Sequence, residues 1–355
     1  MITVTMLIWI NINESSFHFS AGKYPFYKAV QLRKQRLPVM KCHPVNNVVF
    51  IKTHKTASTS LHCIICRYGY NKKLSFVICK FNMYNGHIRK TALNTSRFLP
   101  PLHYNGTGNP MYNILTGHVT YAKRTINTFM SGKPKFITIV REPASQIESH
   151  MNFFHHKSEV LSGIDTFLKD VNYFQNGGTA GSRNNQIRDL GLTLIQTANE
   201  TIVNDTINKL DEEFDLVLIA EYFDESLILL KRLMCWEFED IVYLAKNTRL
   251  KRDTITNTFR RNVYKWSRAD MLMYNYFNFT LWSNIRGLGS EFYVELATFR
   301  ALLTDTSTRC SASKISKRNR SGVKHIEYST SNTTFCKQLG MTNVDWYQSI
   351  SKRQQ

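Results

Sequence analysis

The chain has 355 residues and is 43% hydrophobic, which supplies a substantial core and allows one large or two ordinary domains. Its 46 Lys and Arg against 26 Asp and Glu leave a formal charge of +20, so polyanionic company is expected: a phosphorylated ligand, a sulfated or sialylated glycan, an anionic membrane surface or nucleic acid. A nucleic-acid role is the second class the charge allows, yet no zinc spacing, RNP-like aromatic strand or basic heptad supports it, and no nucleic-acid partner is expected.

In chain order, residues 1–12 (MITVTMLIWINI) are apolar but fall short of the ~20 residues that a bilayer span requires, and no basic flank precedes them. Residues 1–44 carry scattered charges, and Pro44 marks where the fold is expected to begin. Val48 to Ile51 reads as a strand, and Leu61, Ile64, Ile65 and Tyr68 recur at helical spacing behind it. Cys63 and Cys66 form a lone CxxC inside that helix, where packing of two small sulfur side chains is the expected use. The polar stretch from Asn82 to Pro110 contains Asn105-Gly106-Thr107-Gly108, a turn and not a dinucleotide fingerprint, since the third glycine is missing.

Phe136 to Val140 is the second strand, and Pro143 suits the start of the helix after it. Asn176 to Ser182 reads as a flexible loop; Leu216 to Ile219 is a third strand, followed by a helix carrying Leu227, Leu230, Leu233 and Met234 with Asp224 as its expected cap. Beyond Thr304 the chain is rich in Ser, Thr, Lys and Arg, and much of it to Ser331 is expected to be loosely ordered. Repeated strand, polar turn and helix units argue for an α/β fold with a central parallel sheet flanked by helices and ligands at the strand carboxyl ends.

The segment Lys52-Thr53-His54-Lys55-Thr56-Ala57-Ser58-Thr59 joins the first strand to the first helix and reads as an anion grip. Thr56 to Thr59 are expected in the first helical turn, where unpaired amides and the positive dipole end face outward. Lys55 adds a point charge, Ser58 and Thr59 add hydroxyls, and His54 adds a group that exchanges protons near neutral pH. No glycine occurs between Met40 and Arg67, so the GxxxxGK[ST] loop of ordinary nucleotide kinases and ATPases is excluded.

The string Lys52 to Ser58 resembles the 5′-phosphosulfate loop of the galactose-3-O-sulfotransferases. Phe136 to Pro143 with Ser149 is similar to the family's 3′-phosphate motif, a strand ending in Arg-Asp-Pro with a serine eight residues beyond the arginine; here Glu142 stands in place of Asp. Phe214 to Ile219 with Glu221 to Leu227 and Cys235-Trp236-Glu237 resembles another family block, and Gly117-His118-Val119-Thr120-Tyr121 resembles a segment shared with uronyl 2-O-sulfotransferases.

The resemblance implies a P-loop-like sulfotransferase domain over 45–355, behind a tail or incomplete membrane anchor over 1–44. It implies sulfuryl transfer from 3′-phosphoadenosine 5′-phosphosulfate (PAPS) to a galactose 3-hydroxyl on a galactosylceramide-like glycolipid or a glycan, at the lumenal side of the Golgi membrane. Lys52, Thr53, Lys55, Thr56, Ala57, Ser58 and Thr59 would hold the 5′-phosphosulfate, with Lys55, assisted by Lys52, stabilising the leaving group. Arg141 and Ser149 would bind the 3′-phosphate.

A base must take the acceptor's proton, and His54 and His118 compete for that role; His54 is favoured because it adjoins Lys55. Glu142 is expected to cap or form a salt bridge. No metal site is expected. Other readings are a sulfotransferase for a different glycan hydroxyl, or a non-catalytic polyanion-binding protein. In an oxidising lumen the odd count of seven cysteines leaves at least one unpaired, with Cys310–Cys336 the expected disulfide, and Asn-x-Ser/Thr acceptors start at Asn13, Asn94, Asn105, Asn199, Asn204, Asn278, Asn319 and Asn332.

Overall fold

The structure, a computed structural model, describes residues 42–80, 87–88, 93–154, 183–245, 248–249, 254–318 and 324–355. The apolar run at 1–12 and the expected loop at 176–182 lie outside these residues. Among the described residues no helix is long and apolar enough to cross a membrane.

The first expected strand is β1 (Val48–Ile51), and its four side chains are fully buried. A strand apolar on both faces belongs inside a parallel sheet. β1 pairs with β3 (Ile114–Val119) on one edge and with β4 (Lys135–Val140) on the other, so that Ile51 stands beside both Gly117 and Thr138. β5 (Leu216–Ile219) continues the sheet beyond β4, and the two-residue β2 (His87–Ile88) continues it beyond β3. The order is β2-β3-β1-β4-β5, and every pair is parallel.

The expected strands at 48–51, 136–140 and 216–219 are therefore present. The segment Gly117-His118, read only as a motif, is the end of a fourth.

Helix α1 (Ser58–Asn71) buries Leu61, Ile64, Ile65 and Tyr68, the residues whose spacing pointed to it. It lies so close to the sheet that a methyl group on Gly69 would come within 2.2 Å of Ile114 Cδ1 and 2.6 Å of Phe76 Cζ. Cys63 and Cys66 are buried on this helix, and neither is in a disulfide. The short α2 (Lys123–Asn127) precedes β4, and α3 (Pro143–Phe154) follows it with Pro143 at its first position. After α4 (Asn185–Asp189) and α5 (Glu200–Glu213), β5 leads into α6 (Phe223–Met234) and α7 (Phe238–Ile241).

α8 (Asn257–Trp266) packs Phe259, Val263 and Trp266 against Ala144, Ile147 and Met151 of α3. α9 (Arg268–Leu288) packs on β5, α4 and α5, and α10 (Ser290–Arg309) lies against α6.

Two expectations are corrected. Asp224 does not cap α6: it sits inside the first turn, accepts from the Tyr243 hydroxyl at 2.7 Å and pairs with Arg300 at 3.1 Å. The polar region 304–331 is also not a loose excursion over its described residues. It completes α10 and supplies β7 (Ser313–Arg318) and β8 (Lys324–Ser329), which pair antiparallel with each other, β8 pairing in turn with β6 (Thr248–Arg249). A backbone ladder orders these residues where their side chains carry little apolar surface.

Helices α11 (Thr334–Gly340) and α12 (Asn343–Gln354) return to α1, and the Gln354 side chain bonds both Phe76 N (2.7 Å) and Phe76 O (3.0 Å). Disulfides join Cys310 to Cys336, the expected pair, and Cys42 to Cys235.

Candidate active site

From β1 the chain runs through β2 to β3 on one side of it, whereas β4 and then β5 lie on the other. This reversal opens a crevice at the carboxyl ends of β1 and β4, the place where open parallel sheets bind ligands. The expected anion loop leaves β1 there and Arg141 leaves β4.

The loop is shaped without glycine. Lys55 (φ 63°) and Ala57 (φ 62°) both take the left-handed conformation, at a cost of about 1 kcal/mol or more each for residues with a Cβ. α1 begins at Ser58 with Ala57 as its cap, so Thr56 and Ala57 precede the helix and are not within its first turn. Among the described residues the amides of Thr56, Ala57, Ser58 and Thr59 have no acceptor, which makes a concavity of donors at a helix N-terminus.

The hydroxyls expected to join them mostly turn inward. Thr53 Oγ1 meets Thr56 Oγ1 at 2.8 Å and donates to Ile139 O, while Ser58 Oγ donates to Thr53 O at 2.7 Å. These bonds hold the loop's shape; Thr59 stays half-buried in the first turn.

Lys52 is also carried inward. It is 5% exposed, its charge interacts with Cys63, Cys66 and His62 of α1, and burial pushes its ammonium down to about 8. Lys55 is the loop's lysine at the crevice, its Nζ 3.6 Å from the centroid of the Phe153 ring.

Arg141 approaches the loop from β4. Its Nη1 donates to Lys55 O at 3.1 Å and its Nε lies 3.7 Å from Glu221 Oε1 at the end of β5. Burial raises the Glu221 carboxyl above the usual range, and Arg141 opposes that rise. Gln186 of α4 clamps the Arg141 backbone from both sides, accepting from its N at 2.7 Å and donating to its O at 2.9 Å. Ser149 is half-buried on α3 and is joined to this network by no hydrogen bond among the described residues. Glu142 caps α3 as expected, accepting from Ala144 N, Ser145 N and Ser145 Oγ at 3.1, 2.8 and 2.7 Å, and it faces Arg260 at 3.6 Å.

The two candidate histidines come together. His54, from the loop, and His118, from β3, stack with ring centroids 4.2 Å apart. His118 Nδ1 is 2.9 Å from Lys52 O; a carbonyl only accepts, so the proton of that bond is on Nδ1. The loop beneath His54 is fixed by Gln146 of α3, which donates to His54 O at 3.0 Å.

Asp189, Gln186 and Glu221 were not singled out from the sequence. Asp189 Oδ2 accepts from His54 N at 2.9 Å, and its two oxygens lie 2.8 and 3.0 Å from His54 Nδ1. Asp270 of α9 anchors α4 by accepting from Ile187 N (2.9 Å) and Gln186 N (3.2 Å). Glu221 lies within a quoted family block, yet only the sheet order shows that it faces Arg141.

The site thus combines a donor-lined helix start, a lysine, an arginine across the crevice and paired imidazoles. That set can hold a phosphate ester, withdraw charge from it and accept a proton beside it. The galactose-3-O-sulfotransferase family model matches residues 2–328 of the chain. Human galactosylceramide sulfotransferase is 32% identical over 264 residues, which cover 71% of this chain and 60% of that protein. Human galactose-3-O-sulfotransferase 2 is 29% identical over 253 residues, covering 68% and 62% respectively. The chain spans about three fifths of the length of the curated relatives it matches. With its anion loop, opposing arginine and overall match in agreement, the chain belongs to the galactose-3-O-sulfotransferase family.

Proposed function

We propose that the protein transfers the sulfuryl group of PAPS to the 3-hydroxyl of a galactose on a glycolipid of the galactosylceramide type or on a glycan. The observation that carries this reading is the placement of His54, His118 and Lys55 at one helix N-terminus that Arg141 faces from the next strand.

In this reading the Thr56 to Thr59 amides and Lys55 hold the 5′-phosphosulfate. As the acceptor oxygen bonds to sulfur, the bond from sulfur to the bridging oxygen breaks and its electron pair goes to the departing phosphate. Lys55 and the helix start stabilise that charge. His54 takes the acceptor's proton on Nε2, and His118, stacked against it, orients the sugar. Arg141 supplies a planar fork for the 3′-phosphate, with Ser149 as its partner from α3. Lys52 acts from beneath, adding positive potential to the loop.

Two disulfides and several exposed Asn-x-Ser/Thr sites support residence in an oxidising lumen, and a Golgi membrane is the compartment that fits the acceptor.

The test is an acceptor panel with radiolabelled PAPS: galactosylceramide, lactosylceramide, galactose-terminated N- and O-glycans, a uronic-acid polymer and a hexosamine polymer. Label on the galactosides, lost when the galactose 3-hydroxyl is blocked, is expected. Label confined to the uronic-acid or hexosamine polymer would refute the galactose assignment, and no transfer to any acceptor would refute the enzyme.

A further inference from the structure

We infer that Asp189 is the positioning residue that fixes His54 with its proton on Nδ1, which leaves Nε2 as the atom that receives the acceptor's proton. The inference rests on the sulfuryl-transfer reading for its consequence, but not for its geometry.

An ionised carboxylate only accepts hydrogen bonds, so the 2.8 Å contact from Asp189 Oδ2 and the 3.0 Å contact from Oδ1 require a hydrogen on His54 Nδ1. In a neutral imidazole the other nitrogen then carries the lone pair. The same carboxylate accepts from His54 N at 2.9 Å, so the backbone and the ring of one residue are held by one group. Stacking on His118 at 4.2 Å sets the remaining freedom of the ring plane.

Asp189 is itself held on several sides. It is the last residue of α4, and its carbonyl accepts from Tyr121 N at 3.0 Å, just beyond β3. Asp270 holds the first amides of the same helix, and Gln186 on that helix grips the Arg141 backbone. Four residues of α4 therefore link the arginine of one half of the crevice to the histidine of the other. Asp189 would also stabilise the imidazolium that forms as His54 takes the proton, without accepting that proton itself.

A loop-supporting carboxylate and a tautomer-setting one predict different results. Asp189→Asn keeps an oxygen for His54 N, but its amide can donate to Nδ1 and so turn the ring to the wrong tautomer. Turnover is expected to fall about 10²- to 10⁴-fold, with the affinity for adenosine 3′,5′-bisphosphate changed less than about threefold. Asp189→Glu, which restores the carboxylate, is expected to recover part of the loss.

The separating readout is the two-bond 15N–1H correlation spectrum of histidine-labelled protein at a pH where the rings are neutral, with the His54 signals identified by their loss in His54→Gln. Wild-type His54 should show protonated Nδ1 and bare Nε2, and Asp189→Asn should shift it towards protonated Nε2. Full turnover in Asp189→Asn would overturn the inference. So would wild-type His54 protonated on Nε2, a result that needs neither a variant nor a substrate. Wild-type protein inactive on every acceptor but carrying the expected tautomer would instead refute the functional reading and uphold the Asp189 contact.

Discussion

Asp270 offers a test of how the site is held in place, since it supports the helix that carries Gln186 and Asp189. Burial pushes its carboxyl from about 3.8 up to about 7, against the pull of the Ile187 and Gln186 amides. The folded chain therefore keeps a proton here that the unfolded chain has released. Unfolding releases that proton, so stability should fall as pH rises from about 4 to about 7 and level off above that. At 1.36 kcal/mol per pH unit, the decline between pH 5 and pH 8 amounts to about 2.5 kcal/mol.

Asp270→Asn cannot ionise and should lose this decline, although replacing one oxygen by a donor leaves an amide without an acceptor and lowers stability by about 1–3 kcal/mol relative to the wild type with Asp270 protonated. Urea unfolding followed by tryptophan fluorescence at several pH values gives both proteins' free energies by linear extrapolation. The variant should be less stable than wild type at pH 5, and the gap should close or reverse by pH 8. A gap constant to within about 0.5 kcal/mol over that range would show that Asp270 does not titrate as described.

Lys55→Ala should lower turnover by about 10²- to 10³-fold while leaving the melting temperature within a few degrees of wild type, because the residue serves the crevice and not the core; retained turnover would remove its role. Arg141→Lys should weaken binding of adenosine 3′,5′-bisphosphate much more than binding of 5′-AMP, since an ammonium cannot reproduce the planar fork. Calorimetry with both ligands checks this, and equal losses would place the 3′-phosphate elsewhere. Gly69→Ala drives a methyl group to 2.2 Å from Ile114 Cδ1, and the displaced core should cost about 1–3 kcal/mol in thermal or urea unfolding.

What the sequence revealed depended on how far apart the cooperating residues lie. Val48 to Ile51 and the loop after it are contiguous, so strand, anion grip and helix could be read from one run of letters, and Pro143 marked the next helix start without help from distant contacts. β3 escaped notice because Gly117 and His118 interrupt its apolar run, and only pairing with β1 makes Ile114–Val119 a strand. The 304–331 region misled for a related reason: composition reports side chains, whereas β7 and β8 are held chiefly through the backbone. Asp189 meets His54 across 135 positions, and the Gln186 clamp on Arg141 spans 45. Neither has a local pattern, because the sheet order alone brings α4 to the crevice.

The Cys42–Cys235 bridge has a mechanical consequence. Residues 42–45 are fastened to the end of α6 by that bond, by Val45 N to Met234 O at 2.8 Å and by Trp236 Nε1 to Val45 O at 3.0 Å. Trp236 in turn stacks on Tyr68 of α1, with ring centroids 3.9 Å apart. A force applied to the chain ahead of Cys42 therefore reaches α6 before it reaches β1. It must drag a whole helix and a stacked indole out of the core at once, where otherwise it could peel the central strand away one hydrogen bond after another. The anion loop, only a few residues downstream, is thus shielded from tension on that side until a reductant opens the bridge.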